Sequence, residues 1–421
     1  MWKDSPLRKP LILRGARQVG KSWLLRDFGQ RHFKHLAVCN LDRDTEIRQV
    51  FQNKSPQRII QLLEMIFGYK FVPGETLLVF DEIQDCPDAL NALKYFHEEK
   101  RELHVAAAGS LLGVLLSDFS YPVGAVDLME MYPMDFAEFV EATEPGLCQA
   151  FRQLPLLETV EEVFHRRLLD AYHQYLIVGG MPECVALWAK THDPAVLLRS
   201  QNALLKFYEG DFGKHLSKIN AAKCLQVFRS IPAQLAKDNE KFVYGAIRKG
   251  ARAQDLEDAI TWIVSAGLFN RVNNLSKIEY PLRAYRKDDA FKLFLMDTGL
   301  IKVQAGVPNS AILLQENYQF KGQLAENYVL QQLTGKFEVE PFFFSDQCSR
   351  EIDFMLQVGT GIIPVEVKGG KHLQAISLKN YVDKHHPQYG IRFSEKNFCR
   401  NGNLVTLPLY WAARLPEILC P

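Results

Sequence analysis

Apolar runs and helical patterns alternate along the first third of the chain. Short runs rich in Val, Leu and Ala predict buried strands, and the stretches between them carry the three-to-four-residue apolar period of a helix. A helix begins at Lys21, and the predicted strands cover residues 10–14, 36–40, 76–80 and 103–108. Strands that alternate with helices predict a parallel α/β sheet. We place the end of this region near residues 144–155.

The middle of the chain has a helical pattern that ends in two strand-like runs. Helices are predicted in residues 156–218, and a further helix is predicted to end near residue 236. Two more are predicted in 243–250 and 255–266. The runs 268–273 and 278–285 then predict a hairpin. Three helices followed by a hairpin are typical of a winged helix, and a helical lid with a β-ribbon explains the same pattern equally well.

The last part of the chain changes its pattern again. A helix is predicted in residues 322–333, and strands are predicted in 342–344, 352–357 and 362–368. This order predicts a separate α/β domain.

Length and composition narrow the choice of protein class. A chain of 421 residues exceeds what one hydrophobic core organises, so several domains are expected. Hydrophobic residues make up 47% and charged residues 24%, which is ordinary globular composition, and the net charge of +1 indicates no particular partner. The absence of an apolar run of about 18 residues, or of a leader pattern, predicts a cytoplasmic protein with no membrane contact. Eight cysteines without a CxxC pair fit a reducing compartment.

A glycine-rich loop follows the first predicted strand. The segment GARQVGKS fits the pattern GxxxxGK(S/T), between a strand and a helix, and it predicts a P-loop whose backbone N–H groups surround phosphates. Lys21 would reach the β and γ oxygens of ATP, and Ser22 would bind Mg²⁺. The alternative is a fortuitous glycine-rich turn. The expected nucleotide-contacting residues are Gly15, Ala16, Arg17, Gln18, Val19, Gly20, Lys21, Ser22 and Trp23.

Two carboxylates follow the strand LLVF and indicate a Walker B segment. Asp81 would hold the magnesium shell, and Glu82 would orient and deprotonate the attacking water. An ordinary strand that ends in an acidic turn would look the same if the segment stood alone.

The chain resembles the AAA-type predicted ATPases of bacteria and archaea that carry a C-terminal restriction-endonuclease-like domain of unknown function. The motifs behind this resemblance are GARQVGKS, LLVFDEIQ, AAAGSLLGVLL, MYPMDFAEFV, YLIVGGMPE, LMDTGL, GQLAENYVLQQL, and EIDFML followed by IPVEVKGG. The resemblance implies that Ser110 senses the γ-phosphate, although a helix cap is an equal alternative. It also implies that Gly180-Met181-Pro182 brings a helical domain to the nucleotide, although a plain turn explains these residues too.

The chain departs from the family pattern in two places. Family members often have a basic residue where this chain has Ala125, so an arginine-finger role there is in doubt. The family also tends to have more residues ahead of the first strand, which raises the expectation of a truncated N-terminus.

A second set of charged residues lies near the C-terminus. Asp353 is in one predicted strand, and the segment Glu366-Val367-Lys368 begins 13 residues further on in another. Strand alternation points Glu366 and Lys368 to the same face. This D…ExK pattern predicts a magnesium-dependent nuclease site, with Lys368 positioning the attacking water. By resemblance, Glu326 adds a further metal-binding carboxylate. A cluster that binds DNA backbone without cutting it is the alternative.

Two further groups of residues admit simple interpretations. Arg248, Lys249 and Arg252, at the entrance to the third middle helix, would contact DNA phosphates or form a solvated face. Phe136 and Phe139 are at helical spacing and predict core packing.

The predicted fold class is α/β. The expected domains are a P-loop ATPase domain at 1–150, a helical lid at 151–219, a winged-helix-like domain at 220–305 and a restriction-endonuclease-like domain at 306–421. The predicted function is ATP binding and hydrolysis with Mg²⁺ that controls a nucleic-acid-binding or nuclease-like C-terminal domain. The alternative is an ATP-dependent regulatory or DNA-binding protein without nuclease activity. DNA, a protein partner and a second copy of the chain are the further partners considered.

Overall fold

The computed structural model of the protein describes residues 2–110, 124–237, 241–314, 318–346, 351–369 and 376–420. The chain folds into two compact units. The first comprises Met1–Tyr132 with Ser265–Gly267, and the second comprises Pro133–Val264 with Leu268–Pro421.

The first unit is built on a parallel five-stranded sheet of order β2-β3-β4-β1-β5. Its strands are β1 (Leu11–Arg14), β2 (His35–Asn40), β3 (Thr76–Asp81), β4 (His104–Gly109) and β5 (Asp127–Glu130). Its described helices are α1 (Lys21–His32), α2 (Thr45–Val50), α3 (Pro56–Phe67) and α4 (Pro87–Glu99). The predicted parallel sheet and its first four strands are confirmed. The edge strand β5 was not predicted, because its side chains are mostly exposed and its apolar run is short.

Both faces of the central strands β3 and β4 are covered, which explains why these two strands are apolar along most of their length. On β3, Leu78 and Phe80 pack into one hydrophobic cluster and Leu77 and Val79 into another, on the opposite face. The buried strand therefore holds Asp81, its last residue, at a fixed place at the carboxyl edge of the sheet.

The second unit begins with helices and continues with a mixed sheet. The described helices from residue 133 onward are α5 (Phe136–Thr143), α6 (Pro145–Gln153), α7 (Glu162–Val178), α8 (Pro182–Thr191), α9 (Pro194–His215), α10 (Lys218–Leu235), α11 (Tyr244–Ile247), α12 (Ala253–Ser265), α13 (Thr298–Gln304), α14 (Asn309–Leu313), α15 (Lys321–Leu333), α16 (Ile376–His385) and α17 (Leu415–Leu419). Phe136 and Phe139 are fully buried on α5, so the core role predicted for them is confirmed.

Eight strands form the sheet of the second unit, in the order β12-β13-β11-β10-β9-β8-β6-β7. They are β6 (Phe269–Leu275), β7 (Arg286–Leu295), β8 (Phe342–Ser345), β9 (Glu351–Val358), β10 (Gly361–Val367), β11 (Gly390–Ser394), β12 (Cys399–Asn401) and β13 (Leu404–Pro408). The hairpin β6–β7 is antiparallel, and β6 joins the C-terminal strands through β8.

The position predicted for the second arm of this hairpin was wrong. Residues 278–285 were predicted as the strand, but Leu282–Tyr285 is a 3₁₀ turn and the strand begins at Arg286. Pro281 has no N–H to donate to a neighbouring strand, which disfavours pairing at that point. The hairpin is part of the C-terminal sheet. The division into four domains remains a prediction.

None of the helices in the described ranges is both long enough and apolar enough to cross a membrane.

Candidate functional sites

The loop between β1 and α1 has a backbone that curls tightly. Gly15, Gln18 and Gly20 all have positive φ angles, of 155°, 64° and 99°. A Cβ atom added to Gly15 would come within 2.1 Å of the carbonyl oxygen of Met131, so only glycine fits there. Steric constraints therefore explain the glycines of the predicted P-loop, because glycine lets the main chain turn tightly at the carboxyl end of β1.

Lys21 opens α1 and turns back into this loop. Its Nζ donates hydrogen bonds to the carbonyl oxygens of Gly15, at 2.9 Å, and Ala16, at 2.6 Å, and the residue is 7% exposed. Burial lowers the pKa of Lys21 to about 8, against the opposing effect of the Glu82 and Asp81 carboxylates. Two main-chain oxygens of the loop therefore hold this buried ammonium group.

Ser22 and Asp81 meet at the carboxyl edge of the same sheet. The Ser22 hydroxyl donates to Asp81 Oδ1 at 2.7 Å, although the two residues lie on different elements. Hydroxyl and carboxylate oxygens are ligands that Mg²⁺ accepts together with phosphate oxygens. The donor set that the sequence predicted for magnesium is thus assembled in the fold.

Glu82 follows β3 in the left-handed region, at φ 52°. Gln84 Nε2 donates to Glu82 Oε2 at 2.6 Å and to Asp85 Oδ2 at 3.2 Å. Gln84 thus orients the carboxylate that sequence analysis assigned to water activation. Gln84 is the last residue of the motif LLVFDEIQ, but no pattern in the sequence indicates this role.

Ser110, directly after β4, is buried and accepts a hydrogen bond from Arg17 Nε at 3.1 Å. The strand thereby brings the proposed sensor to a P-loop side chain. Residues 111–123, which include the end of AAAGSLLGVLL, lie outside the described residues, so the helix-cap alternative for Ser110 stays a prediction. Trp23 is 66% exposed on α1, whereas Val19 is fully buried.

In the second unit, Asp353 on β9 lies close to the end of β10. Its Oδ2 accepts a hydrogen bond from the Val367 backbone N–H at 2.7 Å. Lys368 Nζ donates to Glu366 Oε1 at 2.6 Å, so Glu366 and Lys368 share a face, as the strand alternation predicted. The structure therefore brings together the three residues of the D…ExK pattern. The final Gly370 of IPVEVKGG lies outside the described residues.

Burial shifts the proton affinities of this cluster. It raises the pKa of Asp353, together with the charge of Glu366, and it raises the pKa of Glu366 against the opposing charge of Lys368. Burial alone would lower the pKa of Lys368, but the carboxylates of Glu366 and Asp353 outweigh it and the pKa is raised. Buried carboxylates of this kind need cations close by.

Sequence analysis missed Lys292, which supplies such a cation from β7. This side chain is 1% exposed, and its Nζ lies 2.9 Å from Glu351 Oε1 and 3.5 Å from Glu326 Oε2. It also lies over the Phe343 ring, 5.3 Å from the centroid. The predicted metal ligand Glu326 is therefore paired with a lysine. In the ranges that the structure describes, no three His, Cys, Asp or Glu side chains are grouped as metal ligands.

Several remaining motifs of the sequence meet around the buried Asp297. Its Oδ2 accepts hydrogen bonds from Gly180 N at 2.6 Å and from Gln331 Nε2 at 3.2 Å, and its Oδ1 accepts from Leu300 N at 3.0 Å. Gly180 O in turn accepts from Met134 N at 2.7 Å. Burial raises the pKa of Asp297 to about 6 although these hydrogen bonds oppose the shift. The motifs YLIVGGMPE, LMDTGL and GQLAENYVLQQL thus share a structural role in one polar core.

The basic side chains of Arg248, Lys249 and Arg252 are exposed next to α12. Their surface position agrees with both interpretations of the sequence.

Family comparisons assign the first unit. A model described as an AAA domain matches residues 7–140. Two domains of unknown function, DUF8612 and DUF4143, match residues 169–311 and 321–411. No curated protein matches the chain. The chain thus carries an AAA-type ATPase domain, and the families matched further on have no assigned function.

Several solved structures are similar to the chain. A Walker-type ATPase of Pyrococcus abyssi is 16% identical, covering 70% of this chain and 91% of its own, with a TM-score of 0.44. The RuvB Holliday junction branch migration motor of Thermotoga maritima is 15% identical, covering 63% and 83%, at 0.31. PCH-2 of C. elegans is 10% identical, covering 44% and 56%, at 0.27. At these scores the similarities establish no mechanism.

Proposed function

We propose that the protein binds ATP with Mg²⁺ through its first unit and hydrolyses it. The observation that carries this proposal is the meeting of Ser22 and Asp81, 2.7 Å apart, beside a P-loop whose Lys21 is held by two carbonyl oxygens. A hydroxyl and a carboxylate at this place would bind the magnesium of a nucleotide, and an ammonium group would bind its phosphates. The AAA-domain match over residues 7–140 supports the same reading.

The residues of the site divide the work between binding and hydrolysis. Lys21 would exchange its two carbonyl acceptors for phosphate oxygens, and the loop N–H groups would donate to the same anion. Magnesium, when bound, neutralises charge that develops on the phosphates. Glu82, held by Gln84, would accept the proton of the attacking water. Ser110 and its partner Arg17 would sense the terminal phosphate.

A phosphate-release assay with and without Mg²⁺ tests this function, together with calorimetric titration of ATP into the full chain. We expect magnesium-dependent release of phosphate and measurable binding heat. The absence of binding heat with properly folded protein would overturn the proposal.

We further propose that the nucleotide state of the first unit controls the C-terminal part of the chain. This part would bind a partner such as DNA, a protein or a second copy of the chain. The grouping of Asp353, Glu366 and Lys368 supports a nuclease-like role. The ion pairs of Lys292 support the rival, a regulator that binds without cutting.

A plasmid-nicking assay separates these two alternatives. If the full chain nicks plasmid with Mg²⁺ and Glu366→Ala abolishes the nicking, the C-terminal part is a nuclease. If the chain binds the plasmid DNA without cutting it, the C-terminal part is a regulator that binds without cutting. Glu340→Ala, at an exposed carboxylate paired with Arg283, is the control.

A further inference from the structure

Four carboxylates and two lysines gather on one region of the second unit. The carboxylates belong to Glu326, Glu351, Asp353 and Glu366, and the ammonium groups belong to Lys292 and Lys368. In a metal-dependent nuclease, a divalent cation would balance such carboxylates. The arrangement of Lys292 indicates a different source of positive charge.

Lys292 is a buried lysine, and burying its ammonium group costs solvation free energy. An ammonium group taken out of water loses several kcal/mol of solvation unless carboxylates and hydrogen bonds replace the water. Lys292 has this replacement on two sides, from Glu351 Oε1 at 2.9 Å and Glu326 Oε2 at 3.5 Å, with the Phe343 ring nearby. The charge of Lys292 also acts on Asp353 and Glu366. Lys292 therefore forms ion pairs with two of the four carboxylates, and its charge opposes the rise that burial causes in the pKa of the other two.

We propose that the ammonium group of Lys292 is the built-in counter-cation of this carboxylate cluster and takes the place that a divalent metal ion would need. Lys292 is a positioning residue: it fixes Glu326 and Glu351 through direct ion pairs. The inference goes beyond the proposed ATP hydrolysis and does not depend on it, and it favours the C-terminal role without cutting.

The hydrogen bonds of the cluster argue against a metal ion. Mg²⁺ requires near-octahedral oxygen ligands at about 2.0–2.1 Å. Glu326 and Glu351 face Lys292, one Glu366 oxygen accepts from Lys368, and one Asp353 oxygen accepts from the Val367 backbone. Glu366 Oε2 and Glu326 Oε2 are buried and accept no hydrogen bond from the described residues, and the second lies 3.5 Å from the Lys292 ammonium group. Two such oxygens do not make a six-coordinate magnesium site. A metal ion that bound Glu326 Oε2 would also lie beside Lys292, which would repel it.

Mn²⁺ titration without nucleotide, followed by electron paramagnetic resonance, tests the proposal on the full chain. All variants carry Asp81→Asn so that Mn²⁺ is not held in the first unit. With Lys292 intact, we expect no bound Mn²⁺ up to about 1 mM. Lys292→Met should gain one Mn²⁺ per chain, with a dissociation constant at least about tenfold lower than any binding to the parent. Adding Glu366→Gln should remove that gain.

Two controls separate charge from general perturbation. Lys292→Arg keeps the positive charge and should gain no Mn²⁺ site. Lys287→Met removes an exposed lysine from the same strand and should also gain none.

Two results would overturn the proposal. One is that the parent, with Lys292 intact, binds one Mn²⁺ and loses it when Glu366→Gln is added. This result can be obtained even if the Lys292→Met protein does not fold. The other is a folded Lys292→Met protein, checked by circular dichroism, that gains no Mn²⁺. A Lys292→Met protein that folds only with Mn²⁺ present would support it.

Discussion

Each unit of the protein buries a lysine near carboxylates, but the two lysines are held by different groups. Lys21 donates to the main-chain oxygens of Gly15 and Ala16, and Lys292 is paired with the carboxylates of Glu351 and Glu326. Neutral carbonyl oxygens are readily exchanged for phosphate oxygens, because charged hydrogen bonds are stronger. Carboxylates already neutralise their lysine. In this protein, the uncharged partners of Lys21 leave its positive charge available to a ligand, whereas the carboxylate partners of Lys292 do not.

The largest effect is expected from removing the exchangeable lysine. Lys21→Ala should reduce the rate of ATP hydrolysis by about 10³-fold or more, because it removes the ammonium group that stabilises charge on the transferred phosphate. A phosphate-release assay measures this loss. Lys34→Ala, at an exposed lysine paired with Glu75, is the matched control and should hydrolyse ATP normally. Equal losses in the two variants would contradict the role of Lys21.

Removing the second lysine should affect stability instead. Lys292→Met leaves buried carboxylates without their cation and should lower the free energy of unfolding by about 3–5 kcal/mol. Urea unfolding measures the change. Lys287→Met, at an exposed position of β7, should stay within about 0.5 kcal/mol of the parent. A loss below about 1 kcal/mol for Lys292→Met would show that the ion pairs contribute little.

A smaller effect is expected from changing Glu82, the proposed base. Glu82→Gln should lower ATP hydrolysis by about 10²-fold while ATP binding persists, since the amide cannot accept the proton of water. Calorimetry and phosphate release separate the two steps. Glu98→Gln, at an exposed residue of α4, serves as the control. Loss of binding together with hydrolysis would mean that Glu82 shapes the site rather than activating water.

The smallest effect is a pH dependence. Burial lowers the pKa of Lys21 from 10.5 to about 8, so this lysine loses its charge as pH rises above that value. Bound phosphates favour the charged form, and ATP binding then takes up a proton. The dissociation constant for ATP should rise by up to about tenfold per pH unit between pH 8 and 10. Fluorescence titration measures it, and Lys21→Arg, which stays charged, should show a flat profile.

The first site could be predicted from the sequence because its parts are local. The P-loop is one continuous segment, and Asp81 and Glu82 end a strand whose apolar residues identify it. The contact from Arg17 to Ser110 joins positions 93 residues apart, and no pattern along the chain shows it. Strand order, which only the fold reveals, brings these residues together.

The carboxylate cluster was only half predicted, for a related reason. Asp353 and Glu366 lie on adjacent strands, Lys368 directly follows the second strand, and all three were found by their spacing. Lys292 lies on a hairpin arm whose position was misjudged, so its pairing with Glu351 and Glu326 could not be anticipated. A single lysine in the apolar run from Phe291 to Leu295 was the available signal, since such a residue must find a buried partner.

The hairpin β6–β7 has a practical consequence for anyone who shortens this chain. A fragment that begins at residue 306 would contain Glu326, Glu351, Asp353 and Glu366 but would lack Lys292 and the two outer strands of its sheet. The bared edge of β8 and the surplus negative charge would both favour misfolding and aggregation. A recombinant C-terminal fragment should therefore start before Phe269. Insolubility of a shorter fragment would reflect the missing strands and not a property of the intact protein.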